Sequence, residues 1–355
     1  MEDSRKGIIV IAMVILGVSL QLIEVESRPQ VPCFFIFGDS LSDSGNNNNL
    51  LTLAKANFLP YGMDHPNGPT GRFTNGKTTV DLIGDYLGLE DYIPPFSSVK
   101  DKEIVKGVNY ASGSAGILQE TGYQVGMRVS MDQQLINHKT AVLKLAKTLG
   151  KNSTTHLKKC IYSVYVGNND WMLNYFAGGI AFFQGKPQAH SDILISKLSD
   201  QLKTLYGLGA RKIIVFGIGP LGCLPILNVA GICSNYVNGV LEMYNAKLKS
   251  LVDAYNTKFT DAKFIWINTM AIVSPNNLNG LGLQVTNIPC CGVETPVCIP
   301  FSIPCVGREK YAYWDHEHPT EAANKVLAKR AYSAIKKTDV YPMGIRNLAR
   351  LKLKA

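Results

Sequence analysis

Beyond its first twenty residues the chain has no apolar run long enough to cross a bilayer, since even its strongest later stretches, such as Lys212 to Ile218, are strand-sized. That excludes a bilayer-spanning helix in the body of the protein, and no stable membrane insertion is expected. None of the eight cysteines is arranged as a paired C-x-x-C ligand set, so zinc is not the default reading of them. No internal repeat and no interdomain linker are present, which points to one domain over residues 28–355. A recognisable nucleic-acid-binding motif is also lacking, and with it any reason to read the positive charge as a nucleic-acid footprint.

What is present begins with a leader. Arg5 and Lys6 precede an apolar run from Gly7 to Leu20, and Val25-Glu26-Ser27 offers small residues at cleavage spacing, so residues 1–27 read as a signal peptide. The protein is then expected to be secreted, where cysteines form disulfides. Cys223 with Cys233, and bridges within the group Cys290, Cys291, Cys298 and Cys305, are the expected pairs. Asn152-Ser153-Thr154 is the only N-x-S/T acceptor and lies in a polar stretch. The formal net charge is +9; the leader carries two basic and four acidic side chains, which leaves +11 without it. Such a surface favours anionic surroundings, and for an exported protein an acidic polysaccharide is the expected polymeric partner. The basic end from Arg346 to Lys354 reads as a solvated tail.

Strand-sized apolar runs at Cys33 to Phe37, Val105 to Asn109, Cys160 to Val166, Lys212 to Phe216 and Phe264 to Ile267 alternate with helical patterns. The helices are expected around Val80 to Leu87, Met131 to Leu149, Ser191 to Leu208, Asn235 to Phe259 and Thr320 to Ile335. In the third, Ile193, Leu198, Leu202 and Leu205 recur as one stripe. The alternation implies an α/β fold whose parallel sheet carries helices on both faces. Gly62 to Gly76 reads as a long irregular connection suited to shaping a cleft.

Four places could do chemistry. In Phe34-Phe35-Ile36-Phe37-Gly38-Asp39-Ser40 an apolar strand delivers a serine just past its carboxyl end, where open α/β sheets place reacting groups. Taken alone, such a serine is as well explained as a helix N-cap. In Asp315-His316-Glu317-His318-Pro319-Thr320 the three-residue spacing lets a carboxylate reach one imidazole nitrogen while the other faces a serine. The bland alternative makes His316 and His318 surface-loop residues or metal ligands. Gly113 and Asn169, each past a strand-like segment, could lend a backbone N–H and an amide to a tetrahedral oxyanion, or could simply favour turns. Trp171, Tyr175 and Phe176 could line an acyl pocket or belong to the core.

Together these segments resemble the four blocks of the SGNH hydrolase superfamily, in order from Ser40 through Gly113 and Asn169 to His318. Over nearly the whole length after the leader the chain resembles the plant GDSL esterase/lipase family. The likeness includes Gly71-Arg72-Phe73-Thr74-Asn75-Gly76, Phe216-Gly217-Ile218-Gly219-Pro220-Leu221-Gly222-Cys223, Cys290-Cys291-Gly292 and His318-Pro319-Thr320-Glu321-Ala322-Ala323-Asn324. The resemblance implies a flavodoxin-like three-layer α/β/α fold with a five-stranded parallel sheet. It further implies Ser40 as nucleophile, Asp315 and His318 as the rest of a triad, and Ser40, Gly113 and Asn169 as the oxyanion hole. No metal or organic cofactor follows from it. The expected substrate is a small-molecule or polysaccharide-linked ester, and the expected location is extracellular, in the apoplast or cell wall. His316-Glu317, between the triad members, departs from the smaller or less charged residues usual there. An acyltransferase using the same acyl-enzyme, and a non-catalytic polysaccharide-binding protein, are the rival readings.

Overall fold

The computed structural model describes residues 28–176, 185–228 and 230–353. The expected leader lies outside them.

Four parallel strands, β1 Phe34–Gly38, β2 Ile161–Tyr165, β3 Lys212–Phe216 and β4 Lys263–Ile267, lie side by side in chain order. Phe34 stands opposite Ile161, and Lys212 opposite both Ile161 and Lys263. The two-residue strand Val340–Tyr341 closes the far edge, antiparallel to β4.

The expected strand at Val105 to Asn109 is displaced. Ile104–Lys106 forms a 3₁₀ turn instead. Gly107, at φ 123°, then redirects the chain, and a Cβ there would lie 2.0 Å from the Phe34 carbonyl oxygen. Past Gly107 the chain runs along β1: Ile36 N–H donates to Val108 O (3.0 Å), Tyr110 N–H to Ile36 O (2.7 Å) and Ser112 N–H to Gly38 O (3.1 Å). With residues 108–112 outside β1 and β2 on its other side, the order is the flavodoxin-like one. Ligands in such sheets bind where that order reverses, here at the carboxyl ends of β1 and β2.

Period-two alternation in fully buried strands sends side chains to two cores. Phe35, Phe37, Tyr162, Val164, Ile213 and Val215 face one. Phe34, Ile36, Ile161, Ile214, Phe216 and Ile265 face the other. Helices α1 Thr79–Tyr86, α2 Met131–Leu149, α3 Pro187–Gly207, α4 Asn235–Lys258 and α5 Glu321–Ser333 cover the faces, α2 to α4 on the first core and α1 with α5 on the second. The buried stripe of α3 is Leu194, Leu198, Leu202 and Leu205. Ile193, counted into that stripe from the sequence, is 40% exposed, because one residue's step turns it about 100° away.

A third, smaller core joins Ala56, Tyr61 and Phe73 to Cys290, Cys291, Cys298 and Trp314. Four disulfides are present: Cys223–Cys233, Cys290–Cys305 and Cys291–Cys298 as expected in kind, and Cys33–Cys160, which ties the roots of β1 and β2 together. Among the described residues no helix is long and apolar enough to cross a membrane.

Candidate active site

Gly38 ends β1 and the chain turns at once. A Cβ on Gly38 would lie 2.4 Å from the Tyr165 carbonyl oxygen, so only glycine lets the strand end this close to β2. Asp39, buried beneath the turn, accepts from Leu41 N–H (3.0 Å) and from the Asn168 amide (3.1 Å). Burial pushes its carboxyl up to about 6 against those donors and the nearby His318. Ser40, held above it, is 9% exposed, and its N–H has no protein partner among the described residues.

The segment from Tyr311 to Thr320 folds back on itself. Trp314 N–H donates to His318 O (2.7 Å) and Thr320 N–H to Ala312 O (3.0 Å). Asp315 closes the turn: its Oδ1 accepts from Glu317 N–H (2.9 Å) and His318 N–H (2.8 Å). The same carboxylate lies 2.9 Å from His318 Nδ1 through each of its oxygens. An ionised carboxylate can only accept, so Nδ1 carries the proton. Nε2 is left to accept, and it stands 2.9 Å from Ser40 Oγ.

Burial raises the Asp315 carboxyl, but His318, the Tyr61 hydroxyl and the Glu317 N–H together hold it below its ordinary value. Burial likewise disfavours a charged His318, yet Asp315, Glu317 and Asp39 outweigh it and lift the imidazole above its usual 6.5.

Two residues to which sequence reasoning assigned no role support this pair. The Tyr61 hydroxyl donates to Asp315 Oδ2 at 2.5 Å; burial, then the adjoining carboxylate, raises its own ionisation well above the phenol range, so it stays a donor. The Phe73 ring lies 5.0 Å from the His318 ring, tilted by 32°. The motif Gly71 to Gly76 was visible in the sequence, but nothing in it announced a packing partner for an imidazole almost 250 positions away. Tyr61→Phe should reduce kcat/KM about tenfold, the loss expected of one hydrogen bond to a charged group. It should also move the acidic limb of the pH profile upward, since Asp315 then loses a donor that competes with His318 for its charge. An unchanged limb would make Tyr61 a packing residue only.

Asn169 sits at the carboxyl end of β2, its amide donating one hydrogen to Ala115 O (2.9 Å), and lines the same cleft as Ser40 and His318. Gly113 does not line it. Its N–H is donated to Asp43 Oδ2 at 2.9 Å, while Asp43 Oδ1 holds Gly45 and Asn46 N–H. The cleft holds about 800 Å³, open solvent included, and its walls are mostly apolar: Met172, Leu221, Leu224, Val273, Leu278 and Leu327. Trp171, wholly buried in the core, is absent from it, as is the whole Gly62 to Gly76 connection. His316 turns away to Gly292 O (2.8 Å), and Glu317 reaches the cleft rim. Asn152 is exposed, just before a short helix, Ser153–Lys159. Among the described residues Cys33, His156 and Cys160 cluster with metal-ligand spacing, but both sulfurs are spent in a disulfide.

The model of the GDSL-like lipase/acylhydrolase family matches residues 34–331. A GDSL esterase/lipase of Arabidopsis thaliana is 44% identical over 96% of this chain and 98% of its own. A second from the same plant is 43% identical over 92% and 94%. Among solved structures, an acetylxylan esterase from Geobacillus stearothermophilus aligns over 84% of this chain and 91% of its own at 14% identity and a TM-score of 0.41, too remote to bear on substrate. With 44% identity over nearly its full length and a family match from β1 into α5, the chain belongs to the GDSL-like lipase/acylhydrolase family and is a carboxylic ester hydrolase.

Proposed function

We propose that residues 28–355 act as one secreted domain in which Ser40 attacks the ester carbonyl, His318 takes its proton and Asp315 steadies the imidazolium. The observation that carries this reading is the unbroken line of contacts, each 2.9 Å, from Ser40 Oγ through His318 to Asp315. His318 returns the proton to the departing alcohol, leaving an acyl-enzyme; the same imidazole then activates water to release the acid. The Ser40 N–H and the second Asn169 amide hydrogen serve the oxyanion, each such donor contributing about 3 kcal/mol in the transition state. The Gly113 N–H joins them only when Asp43 releases it. An organophosphonate should label Ser40, and mapping the label to any other residue would overturn the assignment. Supplying an alcohol acceptor beside water separates hydrolysis from acyl transfer.

Because the imidazolium cannot accept a proton, kcat/KM should rise with pH through a midpoint above 6.5; a midpoint at or below that value contradicts the His318–Asp315 coupling. The apolar walls favour an aliphatic acyl group over acetate. Across p-nitrophenyl esters kcat/KM should therefore climb with chain length before falling, each accommodated methylene contributing about 0.8 kcal/mol; a maximum at acetate would rule this out. The leader and the four disulfides support export, and the exposed Asn152 is the proposed glycan acceptor.

A further inference from the structure

The smallest of the three cores carries an outer rim that folding does not explain. On one side the chain exposes Leu53 (85%) and Leu59; on the other, the loop closed by Cys290–Cys305 and Cys291–Cys298 exposes Ile299, then Phe301 and Ile303, each 93%, with Val306 just beyond at 96%. Phe301 N–H reaches Leu59 O at 3.4 Å, so the two stretches adjoin. Soluble surfaces carry scattered apolar residues, but three of them almost fully exposed within six positions form a patch that calls for a partner.

The rim is fastened to the reacting groups. Cys290 and Cys291 N–H donate to the carbonyls of Tyr313 and Trp314 at 3.0 and 2.7 Å, immediately before Asp315, and Tyr61 joins the core beneath to the carboxylate itself. We propose that this rim inserts into an anionic lipid–water interface, seating the cleft against it. The side chains protrude rather than line a groove, which suits a fluid phase more than a shaped protein surface. Charge agrees: Arg308 is paired with Asp64 and Glu309 offsets Lys310, so the stretch just beyond the rim adds no net charge, while the chain without its leader carries +11 and is drawn to a negative bilayer. Delivery of an ester from that surface rests on the catalytic reading above; binding does not.

The test uses vesicles of phosphatidylglycerol and phosphatidylcholine in equal parts, with Ser40→Ala protein so that nothing is consumed. That protein should sediment with them, and adding Phe301→Ser, Ile303→Ser and Val306→Ser should lower the partition coefficient at least about tenfold. In the otherwise native chain the same three changes should leave hydrolysis of a soluble ester within about twofold, which shows the fold intact. Absence of sedimentation, or sedimentation that high salt abolishes and the three serines do not alter, overturns the proposal. Vesicle binding by a protein that no phosphonate labels would instead leave docking standing and the catalytic reading fallen.

Discussion

Ser40→Ala should lower kcat by roughly a million-fold, the loss seen when an acyl-forming nucleophile is removed from such a relay. The fold should survive, because among the described residues the only hydrogen-bond partner lost is His318 Nε2 at 2.9 Å, a bond whose net worth is about 1 kcal/mol. Cooperative thermal unfolding beside an ester-hydrolysis assay checks both halves. Residual turnover within a hundredfold of the native chain would mean that some other group attacks the carbonyl.

Asp315→Asn should cost on the order of ten-thousandfold in kcat, for a reason the turn makes specific. The asparagine oxygen keeps the place of Oδ1, accepting from the N–H groups of Glu317 and His318. Its NH2 then faces His318 Nδ1 and the Tyr61 hydroxyl, where Oδ2 had accepted from both. Nδ1 must turn acceptor, the ring proton moves to Nε2, and that nitrogen can no longer take one from Ser40. Nitrogen NMR of the imidazole should report the exchanged tautomer; unchanged Nδ1 protonation with full activity would remove Asp315 from the mechanism.

Much of this was legible in residues whose local chemistry fixes their surroundings. The run Phe34 to Phe37 can only be a buried strand, Gly38 must permit a close turn, and the spacing of Asp315 and His318 suits a carboxylate that both caps a turn and reaches a ring. Where reading fell short, contacts distant in sequence decide. Gly107 shifted a strand because of the Phe34 carbonyl beside it, and Cys33 found Cys160 because β1 and β2 are neighbours. The Gly113 N–H was visible as a donor, yet its capture by Asp43 depends on how two loops meet. Tyr61 and the rim around Phe301 carry no motif at all, since a hydroxyl aimed at a buried carboxylate and an apolar side chain left in water become evident only in three dimensions.

Ser40 and His318 lie 278 positions apart, and the helix that steadies the latter is nearly the last to be made. A chain synthesised from its amino end therefore presents an inert hydroxyl until almost all of it has emerged. On the proposed reading, any cut that frees the final forty residues should abolish turnover while leaving the Ser40 hydroxyl in place.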